Sequence, residues 1–364
     1  MENKRLKILH LFPVFAVGGA EMLVLQYFNF LDSKRFDVHV ASTVEDGALR
    51  ENFLDASRVF VGSRQAMGGR LGAWRALKKY VDQLRPDIIH THIVSADIFG
   101  YLLKRRYGNS VRWISTQHNV EHQSPWLDRA VLRFVLPRAD KVIAVSPAVQ
   151  QYVTDHFAVS VKKMITVFNG IDLTRWRNVP PVTPRSSGPI RLATIGRLEK
   201  QKGHSILFSA LASLQDLPWQ LTVFGAGREQ ENLKNLAKKF GIEKRITWAG
   251  VVFDLPKRLE MIDVVVQPSL WEGLSLTVME AMASGRPVLA SHVAAEGLIT
   301  DGVTGWCVRT GDSAALSVTT RAVMSNPEQV TSVGNAAKAY ALEHFGLEKH
   351  LAQITNVYSE IFTA

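Results

Sequence analysis

Val179-Pro180-Pro181-Val182-Thr183-Pro184-Arg185-Ser186-Ser187-Gly188-Pro189 is followed directly by Ile190-Arg191-Leu192-Ala193-Thr194-Ile195 and then by Gly196-Arg197-Leu198-Glu199-Lys200-Gln201-Lys202-Gly203. Four prolines and a Ser-Ser-Gly run make the first segment a linker. The apolar run after it reads as a strand, and the glycine-bounded basic segment as the turn that leaves it. The same alternation lies on both sides. Before the linker, apolar runs at 6–12, 37–42, 87–92, 112–116 and 141–145 are separated by stretches long enough for crossover helices. After it the pattern restarts at 190–195, 220–224, 246–249, 264–267 and 287–290. Alternating strands and helices mark a parallel, doubly wound sheet, here twice over. The expectation is two similar α/β domains with a cleft between them, at 1–180 and 190–344, joined by a linker at 181–189. A final helix from about 345 to 364 carries Leu351, Ile354, Val357, Tyr358 and Ile361 at helical spacing and could pack on either domain.

The composition agrees. At 364 residues, 46% hydrophobic and 21% charged, the chain is neither disordered nor collagen-like. A lone cysteine, Cys307, excludes an intramolecular disulfide framework and a cysteine-rich zinc site, and suits a reducing compartment. No signal peptide is read at the start. The apolar stretch from residue 8 to 31 is interrupted by Pro13, Gly18-Gly19, Glu21 and Gln26, whereas a spanning helix needs ~20 consecutive apolar residues. The chain reads as soluble and cytoplasmic.

Charge divides the chain. Lys and Arg outnumber Asp and Glu by 43 to 33, and the whole excess of ten falls before residue 186. Such asymmetry points to an anionic partner for the N-terminal half, although a solvated basic face would look the same. Three clusters contribute. Leu71, Trp74, Leu77, Val81 and Leu84 form a helical apolar stripe with Arg75, Lys78 and Lys79 off it. Lys104, Arg105 and Arg106 lie between Tyr101 and Tyr107. Arg129 and Arg133 are interleaved with Trp126, Leu127, Val131, Leu132 and Phe134. Basic residues beside interfacial aromatics suit a helix seated on an anionic leaflet, possible at the cytoplasmic face of the inner membrane.

Familiar nucleotide motifs are missing. Gly225-Ala226-Gly227 has Gln at position 230, so the dinucleotide fingerprint fails, and no Gly-Lys-Ser/Thr closes Gly196–Gly203 into a P-loop. No Asp-x-Asp occurs, so no carboxylate pair is offered for a metal-bound diphosphate. Protein cations and backbone N–H groups remain. Arg197 and Lys202 could reach one diphosphate from a turn whose glycines, Gly196 and Gly203, allow close approach. Pro268-Ser269-Leu270-Trp271-Glu272-Gly273-Leu274-Ser275-Leu276 follows a strand and enters a helix near Ser275, a candidate N-cap whose free N–H groups suit a phosphate. Glu272 lies in that approach loop and Glu280 within the helix. Gly18-Gly19 lies at the first strand-to-helix junction, and His118 at a strand's carboxyl end, where open α/β sheets bind ligands. His90 and His92 have metal-like spacing, but no third ligand is evident. One is read as packed and the other as cleft lining.

Gly18-Gly19-x-Glu21, Pro86–His92, His118, Asn169-Gly170-Ile171-Asp172, Gly196-Arg197-x4-Lys202-Gly203 and Glu272-x7-Glu280 occur in this order. Together they resemble the retaining GT-B glycosyltransferases of family 4, the "glycosyl transferases group 1" type, over nearly the whole chain. The resemblance implies an α/β GT-B fold: two Rossmann-like domains whose parallel sheets face each other across a cleft, with the last helix crossing back to the N-terminal domain. It implies a nucleotide-sugar donor, UDP- or GDP-linked, on the C-terminal domain and a glycan or polyprenyl-diphosphate-linked acceptor on the N-terminal one, in bacterial surface-polysaccharide or lipopolysaccharide synthesis. Arg197 and Lys202 would bind the diphosphate, Glu272 the transferred sugar and Glu280 the ribose. Gly18, Gly19, Gly196, Gly273, Leu274, Ser275 and Leu276 would line the donor, and His118 would touch its sugar. No metal or other cofactor is expected. The stretch Val293-Ala294-Ala295-Glu296-Gly297 departs from the family's usual Gly-Gly-x-x-Glu spacing. The rival readings are a soluble small-molecule acceptor, a nucleotide-sugar epimerase or hydrolase, and a polyanion or nucleic-acid binder suggested by the basic charge.

Overall fold

The computed structural model describes residues 5–16, 18–120, 126–183 and 188–363. Val17 and the linker residues 184–187, Ser186 and Ser187 among them, lie outside these. The chain divides into two compact units, residues 1–170 with 348–364, and residues 171–347.

In the first unit seven strands form one sheet: β1 (Leu6–Val14), β2 (Phe36–Glu45), β3 (Val59–Val61), β4 (Ile88–His92), β5 (Arg112–Gln117), β6 (Lys141–Ala144) and β7 (Met164–Thr166). All neighbours pair in parallel, in the order β3-β2-β1-β4-β5-β6-β7. The second unit repeats the arrangement with β8 (Ile190–Ile195), β9 (Trp219–Phe224), β10 (Ile246–Gly250), β11 (Val264–Gln267), β12 (Val288–Ser291) and β13 (Trp306–Val308), ordered β10-β9-β8-β11-β12-β13 and again all parallel. The ten expected strands are present. β3, β7 and β13 were not anticipated, because three residues are too few to show a period.

Both faces of each sheet are covered, so the strands read as nearly continuous apolar runs. In the second unit Leu192, Leu221, Val223, Val264 and Val266 point into one core, and Ala193, Ile195, Phe224 and Val265 into the other. In the first unit Ile8, Ile88, Ile114 and Ile143 meet Ile354, Val357, Tyr358 and Ile361 of the last helix, Leu347–Thr363. The unit boundary falls at Gly170/Ile171, ahead of the proline-rich stretch and not within it as expected. The reason is hydrogen bonding to the second unit: Ile171 N–H donates to Phe345 C=O, Leu347 N–H to Ile171 C=O, and the Arg286 side chain donates from Nη1 to Pro180 C=O at 2.5 Å. Residues 171–180 are thereby held by the second unit.

Strand order reverses direction between β1 and β4, and again between β8 and β11. At such switch points the loops leave in opposite directions and open a crevice at the strands' carboxyl ends. Gly18-Gly19 and His92 follow or end the first pair of strands, and Gly196–Gly203 and Pro268–Ser275 follow the second.

Candidate active site

In the second unit the two switch-point loops are tied together. Gly203 adopts φ +66°, and a Cβ there would lie 2.0 Å from the Pro268 carbonyl oxygen, so only glycine permits this crossing. Leu270 N–H donates to Gln201 C=O at 2.7 Å and Gln201 Nε2 to Trp271 C=O at 2.9 Å. The crossing puts Lys202 Nζ 2.6 Å from Glu272 Oε1, which also accepts from Ser269 Oγ at 2.8 Å. The two side chains are only 14% and 7% exposed, so the pair is held close and largely out of water. Arg197 is exposed, and its guanidinium donates to Gln201 Oε1 at 3.4 Å.

The helix Leu276–Ala283 starts at the end of this loop. Ser275 is its N-cap residue, as expected, but its hydroxyl makes no capping bond; it is buried without a partner among the described residues. Its neighbours Gly273, Leu274 and Leu276 are half-buried. An orphaned hydroxyl and free N–H groups at a helix start form a polar site suited to an anion. Glu280, one turn into the helix, is only half-buried. Burial of its carboxyl nevertheless pushes it up to about 7, against the opposing pull of Arg175. Ser269, Gln201 and Arg175 were missed by sequence reasoning: Ser269 bonds Glu272 within its own loop, Gln201 reaches Trp271 across the loop crossing, and Arg175 faces Glu280 from a distant segment, none of which a local pattern displays.

In the first unit Gly18 and Gly19 open the helix Gly19–Phe30, and a Cβ on Gly18 would meet Glu21 Oε2 at 2.5 Å. The histidine expectation is corrected. Neither His90 nor His92 lines a surface; both are fully buried, and His10 of β1 joins them. Ring nitrogens of His10, His90 and His92 lie within 4.8 Å of one another. All six have hydrogen-bond partners already, and the His10 and His92 rings stack at 18° instead of converging on a point. His118 is half-buried, with Nε2 3.0 Å from His92 Nδ1. On the opposite sheet face, the buried carboxyl of Asp97 accepts from Thr91, Ser115 and Gln117 at 2.5–2.9 Å, and burial lifts it to about 6.

The three basic clusters lie on neighbouring helices, Arg70–Leu84, Val94–Tyr107 and Trp126–Val135. Trp74 packs on Phe99, and Tyr101 on Phe134. Arg75, Lys79, Arg105 and Arg129 are exposed and make no ion pair among the described residues. Lys78 and Arg106 share Asp82, and Arg133 donates to His156 C=O. Lys104 is a correction: it is held at 2.8 Å by Asp140 and donates to Val111 C=O, so it serves the fold and not the surface. Leu71 is corrected too, being 70% exposed instead of buried with its stripe. Trp126, Leu127 and Phe134 are 70%, 56% and 52% exposed, on the side of their helix away from the core residues Leu132 and Val135.

Two family profiles match successive parts of the chain: Glycosyltransferase Family 4 over residues 17–175, and Glycosyl transferases group 1 over residues 177–340. The chain belongs to the family 4 glycosyltransferases. A glycogen synthase of Mycobacterium tuberculosis is 27% identical over 290 residues, 75% of this chain and 69% of that protein. The UDP-Gal:alpha-D-GlcNAc-diphosphoundecaprenol alpha-1,3-galactosyltransferase of Escherichia coli is 25% identical over 321 residues, 80% of each chain. Among solved structures, Anabaena Alr3699/HepE in complex with UDP and glucose superposes with a TM-score of 0.84 at 22% identity, over 98% of this chain and 100% of that one.

The fold of this glycosyltransferase is thus GT-B, with two parallel-sheet Rossmann-like units of seven and six strands. None of its described helices is long and apolar enough to cross a membrane.

Proposed function

We propose that this glycosyltransferase moves a sugar from a UDP- or GDP-sugar to a glycan or polyprenyl-diphosphate-linked acceptor of the bacterial cell surface, retaining the anomeric configuration and using no metal. The observation that carries the reading is the Lys202–Glu272 pair at the head of the Leu276–Ala283 helix, with Arg197 on the same turn as Lys202 and the Ser275 hydroxyl unpartnered among the described residues. Cleaving a sugar–diphosphate bond develops negative charge on the leaving diphosphate and positive charge at the anomeric carbon. Arg197, Lys202 and the N–H groups from Gly273 to Leu276 would stabilise the first, and Glu272 the second. Preorganised charges of this kind need no reorientation as the bond breaks. Glu280 would accept from the ribose hydroxyls, Gly18, Gly19 and Gly196 would let backbone approach the diphosphate, and His118 would bond the transferred sugar. In a same-face displacement a donor phosphate oxygen takes the acceptor's proton, so no dedicated base is required.

The acceptor side of the reading rests on the helical face of Arg75, Lys79, Arg105 and Arg129 with Trp126, Leu127 and Phe134. Exposed aromatics beside unpaired cations suit an anionic leaflet, where a lipid-linked acceptor sits. The Escherichia coli relative is named for such an acceptor, and the Anabaena structure holds UDP. The test is transfer of labelled sugar from each nucleotide sugar to polyprenyl-diphosphate-linked saccharides, alongside sedimentation with phosphatidylglycerol vesicles. We expect transfer, and vesicle binding that weakens as salt rises and is lost in a Trp126→Ala/Arg129→Glu variant. Transfer only to a soluble sugar, with no vesicle binding, would replace the acceptor half of the proposal. Donor consumption at full rate without acceptor would make the chain an epimerase or hydrolase.

A further inference from the structure

Behind His118 the first unit carries a continuous line of hydrogen-bonding groups drawn from three strands and the last helix. Thr116 Oγ1 lies 2.6 Å from His90 Nε2, and His90 Nδ1 lies 2.7 Å from the Tyr358 hydroxyl. That hydroxyl is 3.5 Å from His10 Nε2, His10 Nδ1 is 2.9 Å from His92 Nε2, and His92 Nδ1 is 3.0 Å from His118 Nε2. Side-chain alternation builds the line: His10, His90, His92 and Thr116 all sit on the sheet face that the Leu347–Thr363 helix covers. Every member before His118 is 1% exposed or less.

The four imidazoles are neutral. Burial holds His10 and His118 down at about 3, and His90 and His92 well below the usual range, the neighbouring rings opposing charge on His90 and His92 as well. A neutral imidazole has one donor nitrogen and one acceptor nitrogen. From ring to ring, choosing the proton direction at one link therefore fixes it at the next; it can reverse only at the Tyr358 hydroxyl, which can accept from both His90 and His10, and that arrangement strands the buried tyrosine's own proton. Two continuous polarities remain. In the first, the Thr116 hydroxyl donates to His90 and each link donates onward toward His118. Every proton on the line is then used. In the second, every link is reversed and Thr116 only accepts. Its own proton is stranded, since Thr116 is buried and has no other side-chain hydrogen bond among the described residues. A buried donor without an acceptor is penalised, so the first polarity prevails.

We propose that Thr116, His90, Tyr358, His10 and His92 act as positioning residues that fix the tautomer of His118, with Nε2 accepting from His92 and Nδ1–H offered outward as a donor to an oxygen of the bound ligand. That the oxygen belongs to the transferred sugar rests on the function proposed above; the tautomer does not. The assignment gives His118 a defined task. With its outer nitrogen already protonated, it orients an oxygen and does not abstract the acceptor's proton. It also gives the last helix a role beyond packing, because Tyr358 is the joint at which the line passes from β4 to β1.

The test is ¹⁵N NMR of ring nitrogens in the full-length chain without ligand, with the His118 signals among the 11 histidines assigned by difference from His118→Gln. The proposal expects a protonated Nδ1 on His118. It expects a substantial Nε2–H fraction in Thr116→Val and in Tyr358→Phe, and the wild-type spectrum in Thr116→Ser. Turnover should fall about tenfold in Thr116→Val, with the donor KM changed less than about twofold and activity restored by serine. A wild-type His118 protonated at Nε2, or an Nδ1–H form that persists in both the valine and phenylalanine variants, would overturn the proposal. The spectra need no substrate. A chain that transfers no sugar would therefore sink the functional reading while leaving the tautomer result to stand or fall by itself.

Discussion

Lys202 carries two separable duties, and substitution parts them. As a cation facing a leaving diphosphate it contributes to the transition state, so Lys202→Ala should lower turnover ~10²-fold, about 3 kcal/mol. As the partner of buried Glu272 it also stabilises the fold. Removing it leaves a buried carboxylate that accepts from the Ser269 hydroxyl but has lost its cation, at a cost of about 2–3 kcal/mol, less than for a fully buried pair because Lys202 is 14% exposed. Adding Glu272→Gln should restore most of the lost Tm in thermal denaturation without restoring turnover. Glu280 divides in the opposite sense. Its carboxyl is raised from 4.5 to about 7, so the folded chain holds a proton that the unfolded chain gives up. The stability this contributes is complete below about 4.5 and is lost as pH rises through about 7. Glu280→Gln should therefore raise the Tm at pH 8, by roughly 1 kcal/mol once half-exposure is discounted, with little effect at pH 4.5. The same variant should bind nucleotide more weakly at pH 8, because the ionised carboxylate is the better acceptor for ribose hydroxyls. Unfolding and titration calorimetry at the two pH values measure both effects.

At the scale of elements, the turn from β8 and the turn from β11 form one structural piece. Gly203→Ala places a methyl carbon against the Pro268 carbonyl and forces a left-handed backbone on alanine. We expect a loss of about 2–4 kcal/mol in chemical denaturation, together with weaker nucleotide binding, since Lys202 and Glu272 can no longer meet. The glycine-bounded turn and the approach loop were legible as separate motifs, because each follows a strand with a clear apolar run. Their crossing was not, since the residues that make it, Gln201 and Trp271, carry no pattern and meet across 70 positions of sequence. The histidines show the same limit. His90 and His92 are visible as an i, i+2 pair, whereas His10 joins them only because β1 lies beside β4 in the sheet, an order that sequence spacing does not encode. Lys104 was misread for a related reason: charge is countable from sequence, but its partner Asp140 comes from another element.

For the whole molecule, the doubled strand pattern was readable because fully covered parallel sheets demand apolar runs, and six ordered motifs carried the family. The unit boundary was not, because proline and serine mark a linker while backbone bonds decide which unit owns the residues before it. The placement of both switch-point loop pairs at strand carboxyl ends is a property of the fold. That the loop pair of the second unit, with Lys202 and Glu272, holds a nucleoside diphosphate is the central claim. The most direct measurement is thermal stability with UDP, GDP, ADP and CMP, each alone and as a sugar conjugate. A ligand present at 100 times its Kd adds ~2.7 kcal/mol to the folded state, a shift of several degrees for units of this size. We expect one diphosphate and its sugar conjugate to raise the Tm, and Lys202→Ala to abolish the rise. A folded wild-type chain whose Tm moves with none of them would contradict that claim.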